Sequence, residues 1–366
     1  MKKVSNIDTI YILINIHNYE IKNIDILKFL ENEKEKAKLE IKSDANSKHF
    51  VTISNMIFEL LSNGTKGYAY ILHNSGYEVK IAQYQSKIKN FMPIQVRISS
   101  EYLWSKGLEK SWEEIKKWLE ETFGIIEENK ISRVDLCTHT SDINFIENYE
   151  VSYKGKFKKD SVNVLNYTHK KINSITFGSR KGKNIYCRIY NKTLEVTEKK
   201  RKNWFFEIWE KNNLDINNVW NLEFELKSEF LRDFKIKTIE DLEKSIKDIW
   251  KYCTCKWILK IDRTNIRSER CPINKQWLEI QKAFDEFNSI GLIKREKQIE
   301  LDAEILIPNI VGNITSYAAR KDITNMDGAF ENLYENSKIY LERHNKSFEE
   351  ETKKKIYKIN ERGCKE

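Results

Sequence analysis

Between Val219 and Lys227 the chain alternates without a break: Leu222, Phe224 and Leu226 are apolar, while Glu223, Glu225 and Lys227 are charged. A helix would scatter these residues around its axis. A strand places each set on its own face, so the stretch dictates a strand with one apolar side. Ser132-Arg-Val-Asp-Leu-Cys-Thr-His139 repeats the pattern, with Val134 and Leu136 on one face and Arg133, Asp135, Cys137 and His139 on the other. A charged strand face needs either solvent or partners. For Glu223 and Glu225 two readings stand side by side: a pair suited to a hard cation or a general base, and the plain polar face of an edge strand.

The remaining pattern predicts an α+β fold, a largely antiparallel sheet with packed helices. Ile7 to Ile16 reads as a buried strand, followed by a helix from about Asp25 to Leu39. Gly67–His73 and Tyr77–Gln83 flank Asn74-Ser-Gly76 as a hairpin, and Pro93–Ser99 is a further strand. Leu103 to Gly107 reads as a turn. Ser111 and Glu114 read as a capping box for a helix bearing Trp112, Ile115, Leu119 and Phe123, closed by Gly124. Leu194 to Lys211 reads as one basic helix.

From Phe230 the periodicity turns helical, with Thr238 as a cap, apolar Leu242, Ile246 and Ile249, then Trp277 and Ile280, and a turn at Pro308–Asn313. This predicts a catalytic lobe over 1–229 and a mainly helical region over 230–366.

The net charge of +9 is unevenly placed. Residues 154–202 hold 15 Lys or Arg against three acids, a local charge of +12, so the rest of the chain sums to −3. Such a field is the footprint of phosphate-backbone binding, although charge runs are also ordinary solvated faces. The six cysteines show no paired C-x-x-C spacing and read as reduced core residues of a cytoplasmic protein. No stretch reaches the roughly 18 apolar residues of a membrane span.

Inside the basic segment, Ile175–Phe177 and Ile185–Tyr190 flank a Gly-Ser-Arg-Lys-Gly-Lys-Asn turn, a hairpin pattern. Arg188, Tyr190 and Lys192 share one strand face. Flanking cations are expected to favour the phenolate, and tyrosine is among the side chains that form covalent intermediates. The plainer reading is a half-buried tyrosine between solvated cations.

Phe177-Gly-Ser-Arg-Lys, followed by Arg188-Ile-Tyr-Asn-Lys192 and Glu195, resembles the signature of the replication initiation factor (Rep_trans) family. These are rolling-circle plasmid and phage initiators and related relaxases of conjugative elements. The resemblance implies a strand-specific endonuclease and ligase whose nucleophile is Tyr190. Arg188 and Lys192 would stabilise the pentacoordinate phosphorus.

It also implies a divalent cofactor, Mg²⁺ or Mn²⁺. Asp135 matches a family acid, His139 stands where a second Asp is usual, and Glu223 and Glu225 match a Glu-bearing strand in which Asn221 replaces the usual Arg. Histidine there either shifts preference toward Mn²⁺ or softer metals, or never ligates. Arg133, Arg180, Lys181, Lys183, Lys199, Lys200, Arg201 and Lys202 are the expected DNA contacts.

The implied partners are origin DNA, single-stranded or cruciform, with a host helicase and DNA polymerase, since the sequence has no P-loop. A homodimer is left open. Two alternatives stay beside this reading: a mobilisation relaxase cutting an origin of transfer, and a non-catalytic DNA-binding regulator.

Overall fold

The computed structural model describes residues 1–43, 45, 47–84, 91–158, 161–167, 171–181, 184–199, 202–287 and 307–362. Strand β1 (Val4–Ile16) leads into helices α1 (Tyr19–Lys22) and α2 (Ile24–Ser43). Strands β2 (His49–Ile53), β3 (Met56–Leu60), β4 (Tyr70–His73), β5 (Tyr77–Ile81) and β6 (Ile94–Ile98) follow as a meander. Helices α3 (Ser100–Lys106) and α4 (Leu108–Phe123) precede the long strand β7 (Ile126–Thr140).

A short helix α5 (Tyr149–Ser152) and strand β8 (Tyr153–Gly155) come before β9 (Asn163–Tyr167), β10 (Lys171–Phe177) and β11 (Ile185–Asn191). After helices α6 (Lys192–Lys199) and α7 (Trp204–Lys211) comes β12 (Trp220–Lys227). Helices α8 (Ser228–Asp233) and α9 (Ile239–Tyr252), a π-helical turn at Cys253–Trp257, strand β13 (Ile258–Lys260) and helix α10 (Lys275–Gln281) complete this part. Helices α11 (Ile307–Arg320), α12 (Met326–Arg343) and α13 (Phe348–Arg362) lie beyond.

Among the described residues, one antiparallel sheet of 11 strands runs β2-β3-β4-β5-β6-β1-β7-β12-β11-β10-β9. The two alternating stretches are therefore neighbours: β12 lies between β7 and β11. Its residues are buried on both faces up to Leu226, which corrects the edge-strand reading. Leu222, Phe224 and Leu226 face a large core shared with Val134, Leu136 and Ile189, as the alternation required.

That same core takes in Leu242, Ile246, Ile249 and Trp250 of α9 and Trp277 and Ile280 of α10, and the Trp250 ring packs 5.3 Å from Phe224. The change of periodicity at 230 thus marks a change of layer and not of domain. Compact units run Met1–Lys294 and Arg295–Glu366.

A smaller apolar cluster sits on the other face of the sheet: Trp104 of α3, Val196 of α6, and Phe205, Ile208 and Trp209 of α7, packed with Val4 and Cys137. It covers one end of the polar rows. The predicted single helix over 194–211 is two, and the break lets α6 and α7 both turn apolar residues to this cluster.

Three local expectations change. Leu103–Lys106 belongs to α3, capped by Ser99, and not to a turn. Ser111 lies inside α4, where its hydroxyl donates to the Tyr102 carbonyl at 3.3 Å, so it caps nothing. Pro308–Asn313 is helical, with Pro308 in the first turn, where a missing N–H costs little. The β2–β3 hairpin escaped the sequence reading although Ser54 and Asn55, both at positive φ, form its turn. Among the described residues, no helix is long and apolar enough to cross a membrane.

Candidate active site

Cross-strand register assembles the site. His139, Asn221 and Tyr190 form one row across β7, β12 and β11. Cys137, Glu223 and Arg188 form the next, and Asp135, Glu225 and Tyr186 the third. Because side chains alternate, all three rows share the face opposite the main core.

Tyr190 is the best-connected group. Its hydroxyl donates to Glu223 Oε2 at 3.2 Å and accepts from Asn221 Nδ2 at 2.9 Å and Lys192 Nζ at 3.1 Å. Arg188 pairs with the other oxygen of Glu223. Lys192 opens α6, is fully buried, and also binds Glu195 at 2.8 Å. Its ammonium lies 4.8 Å from the centre of the Phe205 ring.

Both flanking cations are thus already matched by carboxylates. Burial, then the charges of Glu223, Glu195 and Asp8, hold the Tyr190 phenol well above its ordinary pKa against the opposing pull of Arg188. The expectation that the cations favour a phenolate is reversed. Tyr190 is a neutral phenol with a carboxylate at its proton, the arrangement of a nucleophile and its base.

Asp8 is a site residue that sequence reasoning missed. The β1–β7 register slips between Ile7 and Thr9, so Asp8 is the extra residue of a β-bulge, a device that re-aims a side chain. It is buried, and Ser100 donates to it at 2.8 Å. Burial opposes its charge, yet Lys192, Lys202 and the Ser100 bond hold its pKa below the usual carboxylate value. A signal existed: the buried isoleucines run 7, then 10, 12, 14 and 16, and the gap of three marks the bulge.

The four expected metal ligands do not converge. Asp135 and Glu225 face each other, but the Arg133 guanidinium lies between them, 2.6 Å from Asp135 Oδ2 and 3.0 Å from Glu225 Oε2. Glu223 is engaged by Arg188, Tyr190 and Asn221. His139 is four residues from Asp135, about 13 Å along an extended strand. It is walled by Trp104, Phe205 and Trp209, and its Nδ1 accepts from the Trp209 indole at 3.0 Å. Burial, then Lys192, holds its pKa well below the ordinary value, so it is a neutral core histidine. Among the described residues no three potential ligands surround one point. The donor set does not fit a single cation in this arrangement.

The expected DNA contacts divide. Arg180 is half-exposed on the β10–β11 turn, where its Nε also lies 3.4 Å from Glu225 Oε2, and Lys181 beside it is exposed. Arg133 is held between two carboxylates, and Lys202 turns inward to Glu195 at 3.4 Å, which makes both parts of the site's charge balance. Lys183, Lys200, Arg201 and the side chain of Lys199 lie outside the described residues.

No protein-family model and no curated protein matches the chain in sequence. Among solved structures, one described as a rolling circle replication initiator protein from Geobacillus stearothermophilus is similar to it at 15% identity and a TM-score of 0.44. The match covers 80% of this chain and 99% of that one. A likeness of that degree is too loose to carry residue roles across.

Proposed function

We propose that the protein is a DNA strand-nicking and rejoining enzyme, acting in the cytoplasm at a replication origin, with Tyr190 as nucleophile. The observation that supports this most is the bond from the Tyr190 hydroxyl to Glu223 Oε2, in a site where Lys192 and Asn221 also point at the same oxygen. As the phenol oxygen bonds to phosphorus, its proton passes to Glu223. The P–O3′ bond breaks and the departing oxygen takes a proton from solvent, leaving a 5′-phosphotyrosyl link and a free 3′-OH. Lys192 and Arg188 supply positive charge near the developing phosphorane. Attack by a 3′-OH reverses the step and reseals the strand, since the phosphotyrosine keeps the bond energy.

The free 3′-OH would prime a host polymerase, with a helicase opening the duplex ahead. A relaxase at an origin of transfer would use the same chemistry. A divalent cation, Mg²⁺ or Mn²⁺, would require Arg133 to leave the space between Asp135 and Glu225, and no step above depends on it. A regulator that binds DNA without cutting is favoured by one observation, the raised pKa of the phenol.

Supercoiled DNA carrying a candidate origin, incubated with wild type or Tyr190→Phe in Mg²⁺, in Mn²⁺ and in chelator, separates these readings. The nicking enzyme gives a protein-linked 5′ end on a denaturing gel with wild type and none with Tyr190→Phe. Binding to that DNA without nicking under any of the three conditions points to the regulator.

A further inference from the structure

At the end of β11 away from Tyr190 the sheet carries a second feature. A cleft of about 830 Å³ opens between the β10–β11 turn, the segment after β8 and the end of α9. Its cations are Lys156, Lys158, Arg180 and Lys181, against the one carboxylate Asp233 among its described lining residues. Its aromatic wall includes Phe157, Tyr186 and Trp257.

The chemistry of the lining is specific in two ways. Arg180 lies 5.1 Å from the Tyr186 ring centre, and Lys156 lies 5.0 Å from that of Tyr252, so cations and ring faces are already paired as units. Phe157 is backed by Phe177 at 4.9 Å and by Trp257 at 6.0 Å, which holds a half-buried ring in place. Interleaved rings and cations match a ligand whose repeating unit is a flat apolar face joined to a phosphate, which is unpaired nucleic acid.

Duplex DNA fits this cleft poorly, because its base faces are stacked within the helix and only the backbone charge would be used. Tyr186 and Tyr190 lie on the same face of β11, four residues and therefore about 13 Å apart. Phe157 packs on Phe177 and Trp257 of the core face, so the cleft wraps around the β10–β11 turn from one face of the sheet to the other. We infer that this cleft seats unpaired nucleotides of the DNA strand adjoining the phosphate that Tyr190 attacks, with a base against Phe157 and phosphates on Lys158 and Lys181. The inference rests on the nicking reading above for the identity of the strand.

The test uses fluorescein-labelled dT15 and a 15-base-pair duplex, with full-length protein carrying Tyr190→Phe so that binding is measured without chemistry. Anisotropy titrations compare this protein with versions that add Phe157→Leu or the pair Lys158→Gln and Lys181→Gln. Phe157→Leu keeps an apolar side chain against Phe177 and Trp257 while removing the ring face. The lysine pair is exposed, so its loss leaves the fold intact.

The cleft predicts that Phe157→Leu weakens dT15 binding about tenfold and leaves the duplex unaffected. The lysine pair should lower the slope of log affinity against log salt for dT15 by about 1.4, for two lost phosphate contacts. Affinities and slopes for dT15 equal to those of the parent in both variants would overturn the inference, as would equal losses for dT15 and duplex.

The nicking assay, run separately with Tyr190 intact, keeps the two ideas apart. Nicking with unchanged dT15 binding removes the cleft alone. Selective loss of dT15 binding without nicking by the wild type leaves an unpaired-strand binding cleft and removes its placement beside a scissile phosphate.

Discussion

A phenol whose neighbouring cations are already held by carboxylates is a poor nucleophile until something takes its proton, which is the task proposed for Glu223. Glu223→Gln is expected to slow single-turnover cleavage by about a hundred- to ten-thousand-fold while dT15 binding stays within a factor of about three. A cleavage rate close to wild type would remove Glu223 as the base. His139 supports a pH prediction for stability. Its folded pKa is depressed below its unfolded value near 6.5, so the unfolded chain binds the proton first as pH falls. Stability should therefore drop below pH 6.5 by about 1.4 kcal/mol per pH unit until the folded pKa is reached. Urea titrations between pH 7 and 5 should show this limb in wild type and a shallower one in His139→Gln. At this scale period-two spacing put Arg188 and Tyr190 on one strand face and Glu223 on the polar face of the next strand, whereas Lys192, expected on the same strand as Tyr190, instead opens α6. The sequence could not disclose which cations are already paired: Lys202 and Arg133 read as phosphate contacts, yet Lys202 turns back to Glu195 seven residues earlier, and Arg133 meets Glu225, brought to it by a strand far away in sequence.

Elements hold the site by covering it. The polar rows of β7, β12 and β11 end under the cluster of α3, α6 and α7, and alternation along a strand says nothing about whether a second layer lies over its polar face. For the same reason an edge strand was one of the two readings of β12: its pairing with β7 joins segments about 90 residues apart, which no local pattern encodes. The β10–β11 hairpin was legible, because its turn chemistry is local. Gly178 ends β10 at φ 84, and an added Cβ would lie 3.1 Å from the Ile185 carbonyl and 3.4 Å from the Trp257 ring. Gly178→Ala is therefore expected to cost about 1–2 kcal/mol, the penalty of a side chain in the left-handed region. Chemical denaturation would check this, and an unchanged midpoint would show that the turn relaxes.

Across the whole molecule, the sheet core draws on residues from Ile7 to Phe284, so the folding unit must include α9 and α10. A chain ending at Lys294 is expected to unfold cooperatively and to keep dT15 affinity within about threefold of the full chain. One ending at residue 229 is expected to be insoluble or molten, since it leaves Phe224 without its Trp250 partner. A cooperative transition in the 229 fragment would restore the boundary suggested by periodicity alone. The proposed chemistry turns on one atom, the Tyr190 hydroxyl oxygen. Wild-type protein allowed to react with origin DNA, then digested with nuclease and protease and read by mass spectrometry, should yield a nucleotide phosphate on the peptide containing Tyr190. A nucleotide attached to any other residue, Tyr186 included, or DNA nicked with no covalent peptide at all, would contradict it.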